Sequence, residues 1–237
     1  MKACGPIRKM FPEAKLGNYD DVWSGAKPSF GLDAVMPSLY PGTASLRGPF
    51  KDKKITQQAA DDFFFRMLLK IFSDVSKNKT PGKLAIPYVC RYLPNCDEKP
   101  YLWALSHHCH RELLRHLFLR GADTLYLYNE GRDQPRQSFE SVEDARAVYD
   151  ELLGHRPFLD EGRPVNFAEP TADGVVWSAR RCGDRCLVRT FSLGKTTKVK
   201  IEPFDGISVR LEASPAGATY LVSSSGKTEK LDAGAEK

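Results

Sequence analysis

Four short strand-like segments in the first 130 residues each end in a tyrosine accompanied by a few polar side chains. A tyrosine ring combines a flat apolar face with a hydroxyl group, and this combination suits a sugar ring. An arginine can hold a carboxylate or orient a neighbouring group. The candidate binding residues at these ends are Asn18, Tyr19, Ser38, Tyr40, Arg91, Tyr92, Tyr128 and Asn129, and the candidate catalytic acids are Asp20 and Glu130.

A structural role is the alternative for these residues. A tyrosine at a strand end can simply close a core layer against water. Glu130 precedes the sequence GRD and can be a salt-bridge partner in a loop.

Strand-like and helix-like patterns alternate over residues 1–155. The strand-like runs are 14–22, 33–40, 83–93 and 124–130, and the helical runs are 55–78, 101–123 and 141–155. Thr56 and Ser141 are predicted N-caps, and Gly121 is a predicted C-terminal helix cap. This alternation predicts parallel strands joined by crossover helices, with functional groups at the carboxyl ends of the strands. Four strands do not close a barrel, so the sequence predicts an α/β fold with half of a β/α barrel.

The pattern changes after residue 160. Two β-rich runs meet at Gly183 and Asp184, which predicts a hairpin, and alternating strands follow at 196–204, 206–214 and 217–224. The tail from Gly226 onwards is predicted to be frayed. We therefore expect a half-barrel domain over residues 1–160 and a small antiparallel β-sandwich over residues 161–237.

The histidines and cysteines offer weaker candidates. The spacing of the histidines does not favour a metal site, and they are interpreted as outer-face or rim residues; they are His107, His108, His110 and His116. Cys182 and Cys186 flank a turn, and Cys90 and Cys96 flank a strand end. Either pair could oxidise, although reduced thiols are the expectation. No nucleotide, metal or nucleophile motif is present, so no cofactor is predicted.

The bulk composition excludes several classes. The chain has 237 residues, of which 41% are hydrophobic and 27% charged, and a net charge of +5 that is spread along the sequence. This favours a mixed-charge surface over a nucleic-acid-binding one. No window approaches the roughly 20 apolar residues of a membrane helix. The N-terminus has no apolar signal region, so a cytoplasmic location is the default expectation.

Three stretches resemble consecutive landmarks of hyaluronidase-like barrels. They are LGNYDDV, MPSLY and LFLRGADTLYLYNE, in which the matching residues are Gly17 and Tyr19, then Pro37, Ser38 and Tyr40, then Gly121, Ala122 and Tyr128. The chain also resembles uncharacterised bacterial glycoside-hydrolase-like proteins, in which a barrel precedes a β-sandwich with a GDRxLVR hairpin; here residues 183–189 read GDRCLVR. The resemblance covers residues 14–130 and 174–224. It implies that the four strands are the fifth to eighth of a (β/α)8 barrel.

The chain departs from that family at its catalytic centre. Hyaluronidase-like enzymes carry a D-x-E pair at the fourth strand, and residues 1–40 contain none. Tyr128 stands where those enzymes carry tryptophan. The resemblance thus implies a truncated or divergent glycoside-hydrolase-like protein that acts on or binds carbohydrate, with little turnover by the isolated chain. Relatives of this type are often exported. The alternatives are a non-catalytic carbohydrate-binding or protein-interaction module, and a half-barrel that a second chain completes.

Overall fold

A computed structural model describes residues 4–20, 32–39, 41, 55–91, 104–128 and 135–231. Its first part contains a parallel sheet. The strands are β1 (Gly17–Asp20), β2 (Ala34–Leu39), β3 (Leu84–Ala85), β4 (Tyr88–Val89) and β5 (Tyr126–Leu127). The order is β1-β2-β4-β5, with β3 also paired to β2, and every pairing is parallel. The predicted half-barrel of four parallel strands is confirmed.

The strand predicted at 83–93 is split into β3 and β4. Pro87 lies between the two short strands and has no N–H to donate to a neighbouring strand. The backbone nevertheless stays in the sheet, because Ile86 N donates to Val35 O at 2.9 Å and Tyr126 N donates to Pro87 O at 2.9 Å. The two pieces therefore act as one strand of the half-barrel.

The helices of this part are α1 (Cys4–Met10), α2 (Gln57–Asn78), α3 (His107–Leu119), α4 (Pro135–Leu153) and α5 (Arg156–Asp160). The predicted N-cap of α2 is confirmed, since Thr56 Oγ1 accepts a hydrogen bond from Ala59 N at 3.2 Å. Gly121 follows α3 with a φ of 100°, a left-handed conformation that favours glycine. Among the described residues, no helix is long and apolar enough to cross a membrane.

The prediction that Ser141 caps the last helix was wrong. Helix α4 begins six residues earlier, at Pro135, so Ser141 lies inside it and is buried. Proline is favoured in the first turn of a helix because its missing N–H would have no partner there. The polar residues between Pro135 and Ser141 masked this start in the sequence pattern.

One face of the parallel sheet packs on the helices. Leu39, Val89 and Leu127 share that face, and they join the core that α2 and α3 build with Phe64, Leu68, Leu113 and Leu117. Because side chains alternate along a strand, the neighbouring positions point to the other face. That second face, here called the inner face, carries Ser38, Tyr88 and Tyr126.

The C-terminal part is antiparallel. Its strands are β6 (Arg163–Pro164), β7 (Val175–Cys182), β8 (Arg185–Ser192), β9 (Thr197–Phe204), β10 (Ile207–Ala213), β11 (Ala218–Ser223) and β12 (Thr228–Leu231). One sheet has the order β12-β11-β8-β7-β6, and the other consists of β9 and β10. The predicted hairpin is confirmed, since Cys182 pairs with Arg185 across Gly183 and Asp184.

The tail was predicted to be frayed, and this is wrong for part of it. Residues Thr228–Leu231 form β12, which pairs with β11 from Thr219 to Val222. A turn with Gly226 in a left-handed conformation, φ 83°, returns the chain so that this pairing can form. Residues 232–237 lie outside the described residues.

The five-stranded sheet lies between two apolar layers. Val176 of β7 and Phe191 of β8 belong to the same core as the helices of the half-barrel. On the opposite face, Ala179 and Val188 pack with residues of β9 and β10, such as Ile201. The helices α2 and α3 are therefore covered by the parallel sheet on one side and by the five-stranded sheet on the other.

The geometry excludes a disulfide between Cys182 and Cys186, which the sequence left open. Cys182 pairs with Arg185, whereas Cys186 pairs with Arg181, so the two thiols point to opposite faces of the sheet. Both thiols are free. Burial raises the pKa of the Cys186 thiol to about 12. Cys96, the other half of the second predicted pair, lies outside the described residues.

Candidate functional site

The carboxyl ends of the parallel strands meet at one edge of the sheet, which is where the sequence predicts the site. Asn18, Tyr19 and Asp20 are the last residues of β1. Tyr128 directly follows β5, and Arg91 follows β4 by two residues. The fold thus brings these segments to a common edge.

Four of the predicted site residues cannot be placed at this edge. Tyr40, Tyr92, Asn129 and Glu130 lie outside the described residues. Their roles, and those of the side chains in β1, stay predictions.

Tyr88, Tyr126 and Tyr128 line the inner face near this edge, and we call them the tyrosine face. Tyr88 and Tyr126 are directly paired across β4 and β5, with ring centroids 4.5 Å apart and planes inclined by 48°. Tyr128 continues the ladder, since its N–H donates to Val89 O at 3.0 Å. Tyr126 is 51% exposed, although tyrosine is a large and partly apolar residue. The arrangement presents aromatic rings on the side of the sheet away from the helices.

Tyr88 and Tyr126 were not among the predicted site residues, because that prediction used only the residues at the end of each strand. The signal was nevertheless present in the sequence. Tyr126 and Tyr128 are two positions apart, and residues spaced by two share a face of a strand. A search for aromatic residues at this spacing finds the face as well as the edge.

Arg91 holds a carboxylate, as arginine chemistry suggested, but the carboxylate belongs to the protein. Its Nη2 donates to Glu140 Oε2 at 2.5 Å, and its Nη1 donates to Leu105 O at 3.0 Å. The Arg91 side chain is only 12% exposed and the Glu140 side chain 22%. Arg91 therefore fixes Glu140, on α4, beside the carboxyl edge. Glu140 was not predicted, and nothing local in the sequence links two residues that are 49 positions apart.

A buried carboxylate, Asp144, organises the start of α3. It accepts hydrogen bonds from His107 Nδ1 at 3.0 Å, His110 Nδ1 at 3.0 Å and Arg111 Nε at 2.8 Å. Burial by itself would raise the pKa of Asp144, but its partners, His110 foremost, outweigh burial and lower that pKa. Burial lowers the pKa of His110, against the raising influence of Asp144. The cluster thus anchors α3 to α4 and leaves His107 beside Glu140, with His107 Nε2 3.6 Å from Glu140 Oε2.

The interpretation of the histidines as outer-face or rim residues is wrong for two of the four. His110 and His116 are fully buried. His107 has a half-exposed side chain, and the exposed His108 donates from Nε2 to Pro215 O at 2.6 Å. The error arose because the predicted core stripe counted only leucine and phenylalanine, whereas a buried histidine is tolerated where it is hydrogen-bonded. In the described part of the chain, no group of three or more acidic, histidine or cysteine side chains is arranged to hold a metal ion.

Comparisons with known proteins find likeness at the level of structure. No family model and no curated protein sequence matches this chain. A crystal structure of a noncanonic maltogenic α-amylase from Thermotoga neapolitana aligns with a TM-score of 0.45 and 10% identity. The alignment covers 96% of this chain and 57% of that chain. At this TM-score and identity, the likeness carries no argument about what this chain binds or catalyses.

Proposed function

We propose that this chain is a glycoside-hydrolase-like protein whose half-barrel binds carbohydrate at the carboxyl edge of its parallel sheet. The tyrosine face is the observation that supports this most directly, because Tyr126 is half exposed beside the ring of Tyr88. The apolar face of a sugar ring packs on such aromatic rings. Polar groups at the same edge, such as Glu140 and His107, are suited to hydrogen bonds with sugar hydroxyls.

We expect this chain alone to bind carbohydrate without hydrolysing it. A glycosidase generally needs two carboxyl groups, one of which keeps its proton until it donates it to the leaving group. The described carboxylates beside the carboxyl edge are already engaged: Asp61 with Ser106, Glu140 with Arg91, and Asp144 with two histidines and Arg111. The lowered pKa of Asp144 also makes it a poor proton donor near neutral pH. Glu130 and Asp20 remain the predicted catalytic candidates.

Affinity electrophoresis on a panel of neutral and acidic polysaccharides tests the binding proposal. We expect retardation by at least one polysaccharide and about tenfold weaker binding of Tyr126→Ala, or about 1.4 kcal/mol, which is the size of an aromatic contact. Phe11→Ala is the matched control, because Phe11 is 60% exposed and precedes β1. Equal retardation of the two variants, or no retardation on any polysaccharide, contradicts the proposal.

A reducing-end release assay on the same polysaccharides tests the absence of turnover. We expect no release above the level of a heat-inactivated sample. Robust release that is lost in Glu130→Gln would overturn this part of the proposal and would identify Glu130 as a catalytic residue.

A second candidate function is protein interaction, in which another chain completes the barrel. It is supported by the position of β1 and β5 at the two ends of the described sheet, because unpaired strand edges readily pair with other strands. Light scattering after size-exclusion chromatography shows whether the chain is a monomer or associates with a second copy. A stable monomer at micromolar concentration argues against this candidate, whereas a dimer that Tyr126→Ala weakens supports it.

A further inference from the structure

A cleft of about 430 Å³ lies at the other end of the half-barrel from the tyrosine face. It is bordered by the C-terminal end of α3, by α4 and α5, and by β7. Its volume falls within the range of small-molecule sites in proteins. No residue of this cleft belongs to the site proposed above.

Part of the cleft lining is apolar and aromatic. Tyr149 is 50% exposed on α4, and its ring centroid lies 6.5 Å from that of Phe118. Leu153, one turn further along α4, is 42% exposed. A half-exposed tyrosine beside a half-exposed leucine gives a ring-shaped ligand an apolar surface on which to pack.

A buried arginine lines the same cleft and has an unused donor. Arg180, on β7, is 7% exposed, and its Nη1 donates to Leu159 O. Its Nε is buried and has no hydrogen-bond partner among the described residues. Buried donors without a partner are rare in proteins, and an acceptor oxygen on a ligand would satisfy this one when the guanidinium turns toward the cleft on binding.

The charges of the cleft balance. Arg180 and Arg156 are matched by Asp123 and Asp160, and Arg156 Nε pairs with Asp160 Oδ2 at 2.8 Å. Burial lowers the pKa of Arg180, and both aspartates act against this shift. Asp123 Oδ2 accepts from Ala85 N at 2.7 Å, which leaves Oδ1 without a partner among the described residues. The cleft therefore offers donors and acceptors without a net charge that would select an anion or a cation.

We propose that this cleft is a second binding site, which takes a neutral polyhydroxylated ring such as a pyranose. One hydroxyl group can accept from Arg180 Nε while another donates to Asp123, because a hydroxyl both donates and accepts. The apolar face of the ring packs on Tyr149. A purely anionic ligand would satisfy Arg180 but would meet the two aspartates. This site is independent of the tyrosine face and does not require the proposed function to be correct.

Titration of ¹⁵N-labelled protein with glucose, N-acetylglucosamine and glucuronate, followed by amide chemical shifts, tests the site. We expect the neutral sugars to shift the amides of Ala122, Asp123 and Leu153, and glucuronate to bind no more tightly than glucose. Tyr149→Ala should weaken binding at these amides about tenfold, while Tyr149→Phe should retain it. Arg180→Lys keeps the charge but removes Nε, so it should also weaken binding.

The Tyr126→Ala variant distinguishes binding in this cleft from binding at the tyrosine face. It should leave the shifts at Ala122, Asp123 and Leu153 unchanged even if it abolishes binding at the carboxyl edge. Tyr149 is exposed, so its replacement keeps the test valid if Arg180→Lys does not fold. The proposal is overturned if none of the three sugars shifts these amides, if Tyr149→Ala binds as the unmodified chain does, or if glucuronate binds much more tightly than glucose.

Discussion

Arg189 on β8 and Glu112 on α3 form a two-pronged ion pair in which both side chains are buried. Arg189 Nε donates to Glu112 Oε2 at 3.0 Å, and Arg189 Nη2 donates to Oε1. Arg115 Nη1 also donates to Glu112 Oε1, at 2.9 Å. This carboxylate, shared by two guanidinium groups, ties the helices of the half-barrel to the five-stranded sheet.

Replacing one partner of this pair should destabilise the whole protein. Arg189→Met leaves Glu112 buried with one cation fewer, and we expect a loss of about 3 kcal/mol in the free energy of unfolding. Urea denaturation followed by tryptophan fluorescence measures it. Arg210→Met is the control, because Arg210 is exposed on β10. Similar losses in the two variants would show that the pair does not join the layers.

Gly217 should be intolerant of a side chain because it lies against the Arg189–Glu112 ion pair. A Cβ atom there would meet Arg189 Nη2 and lie 2.8 Å from Glu112 Oε1, and the backbone has a φ of 71°. Gly206 has a similar φ of 75° but nothing within 4 Å of its added Cβ. Gly217→Ala should therefore lower the thermal midpoint clearly more than Gly206→Ala, which carries the backbone strain alone. Equal shifts would contradict the contact.

Ser178 on β7 supports two buried groups of α3 at once. Its Oγ accepts from Arg120 Nε at 2.7 Å and is hydrogen-bonded to His116 Nδ1, which lies 2.7 Å away. Arg120 is fully buried, and burial lowers its pKa to about 9. Its Nη1 donates to Ser73 Oγ and its Nη2 to Trp177 O, which are neutral acceptors. The hydroxyl of Ser178 thus connects His116 and Arg120 in a buried polar network.

Ser178→Ala should cost about 2 kcal/mol or more, because it leaves two buried polar atoms, Arg120 Nε and His116 Nδ1, without their hydrogen-bond partner. Ser208→Ala, at an exposed position of β10, should cost little. Chemical denaturation of both variants provides the comparison. A loss at Ser178 no larger than that at Ser208 would contradict the network.

The stability of the protein should fall as the pH drops below about 6.5. Burial lowers the pKa of His116 well below its ordinary value, and the charges of Arg120, Arg189 and Arg115 add to this shift. The unfolded chain regains the ordinary pKa, so below that pH it binds a proton that the folded chain does not bind. His110 shifts in the same direction. Asp144 also has a lowered pKa, so its ionised carboxylate stabilises the folded chain at neutral pH. This contribution is lost only at lower pH, where the carboxylate becomes protonated.

The free energy of unfolding, measured at several values between about pH 7.5 and 5, checks this expectation. His116→Gln should flatten the slope, because glutamine can still bond to Ser178 but does not titrate. A variant that keeps the full slope would show that His116 is not the group responsible.

The elements of the fold were largely predictable because they rest on local patterns. The spacing of Phe64, Leu68 and Phe72 predicts the buried face of α2, and Gly183 with Asp184 predicts the hairpin. The candidate site was less predictable because its contacts are distant in sequence. Arg91 and Glu140 are 49 positions apart, and His107 and Asp144 are 37 apart. No periodicity relates such pairs, and only the tertiary packing of the helices and strands brings them together.

The division into residues 1–160 and 161–237 stays a prediction. The two parts share one apolar core, which argues against independent folding of the first part. Val176, Phe191 and Leu193 of the C-terminal part belong to the same apolar core as Phe65 and Leu113 of the half-barrel. A separate 1–160 fragment would expose this surface to water. We expect it to aggregate or to unfold with low cooperativity, whereas a cooperative fragment of normal solubility would establish the boundary as a true domain limit.

The most direct test of the central claim is an NMR titration of protein carrying ¹³C-labelled tyrosine rings with the polysaccharide that retards it most. We predict that the ring signals of Tyr88, Tyr126 and Tyr128 shift together, while Tyr220, which is 6% exposed in the C-terminal part, stays unchanged. Shifts confined to rings away from the carboxyl edge, or no ring shifts under saturating polysaccharide, would contradict the account.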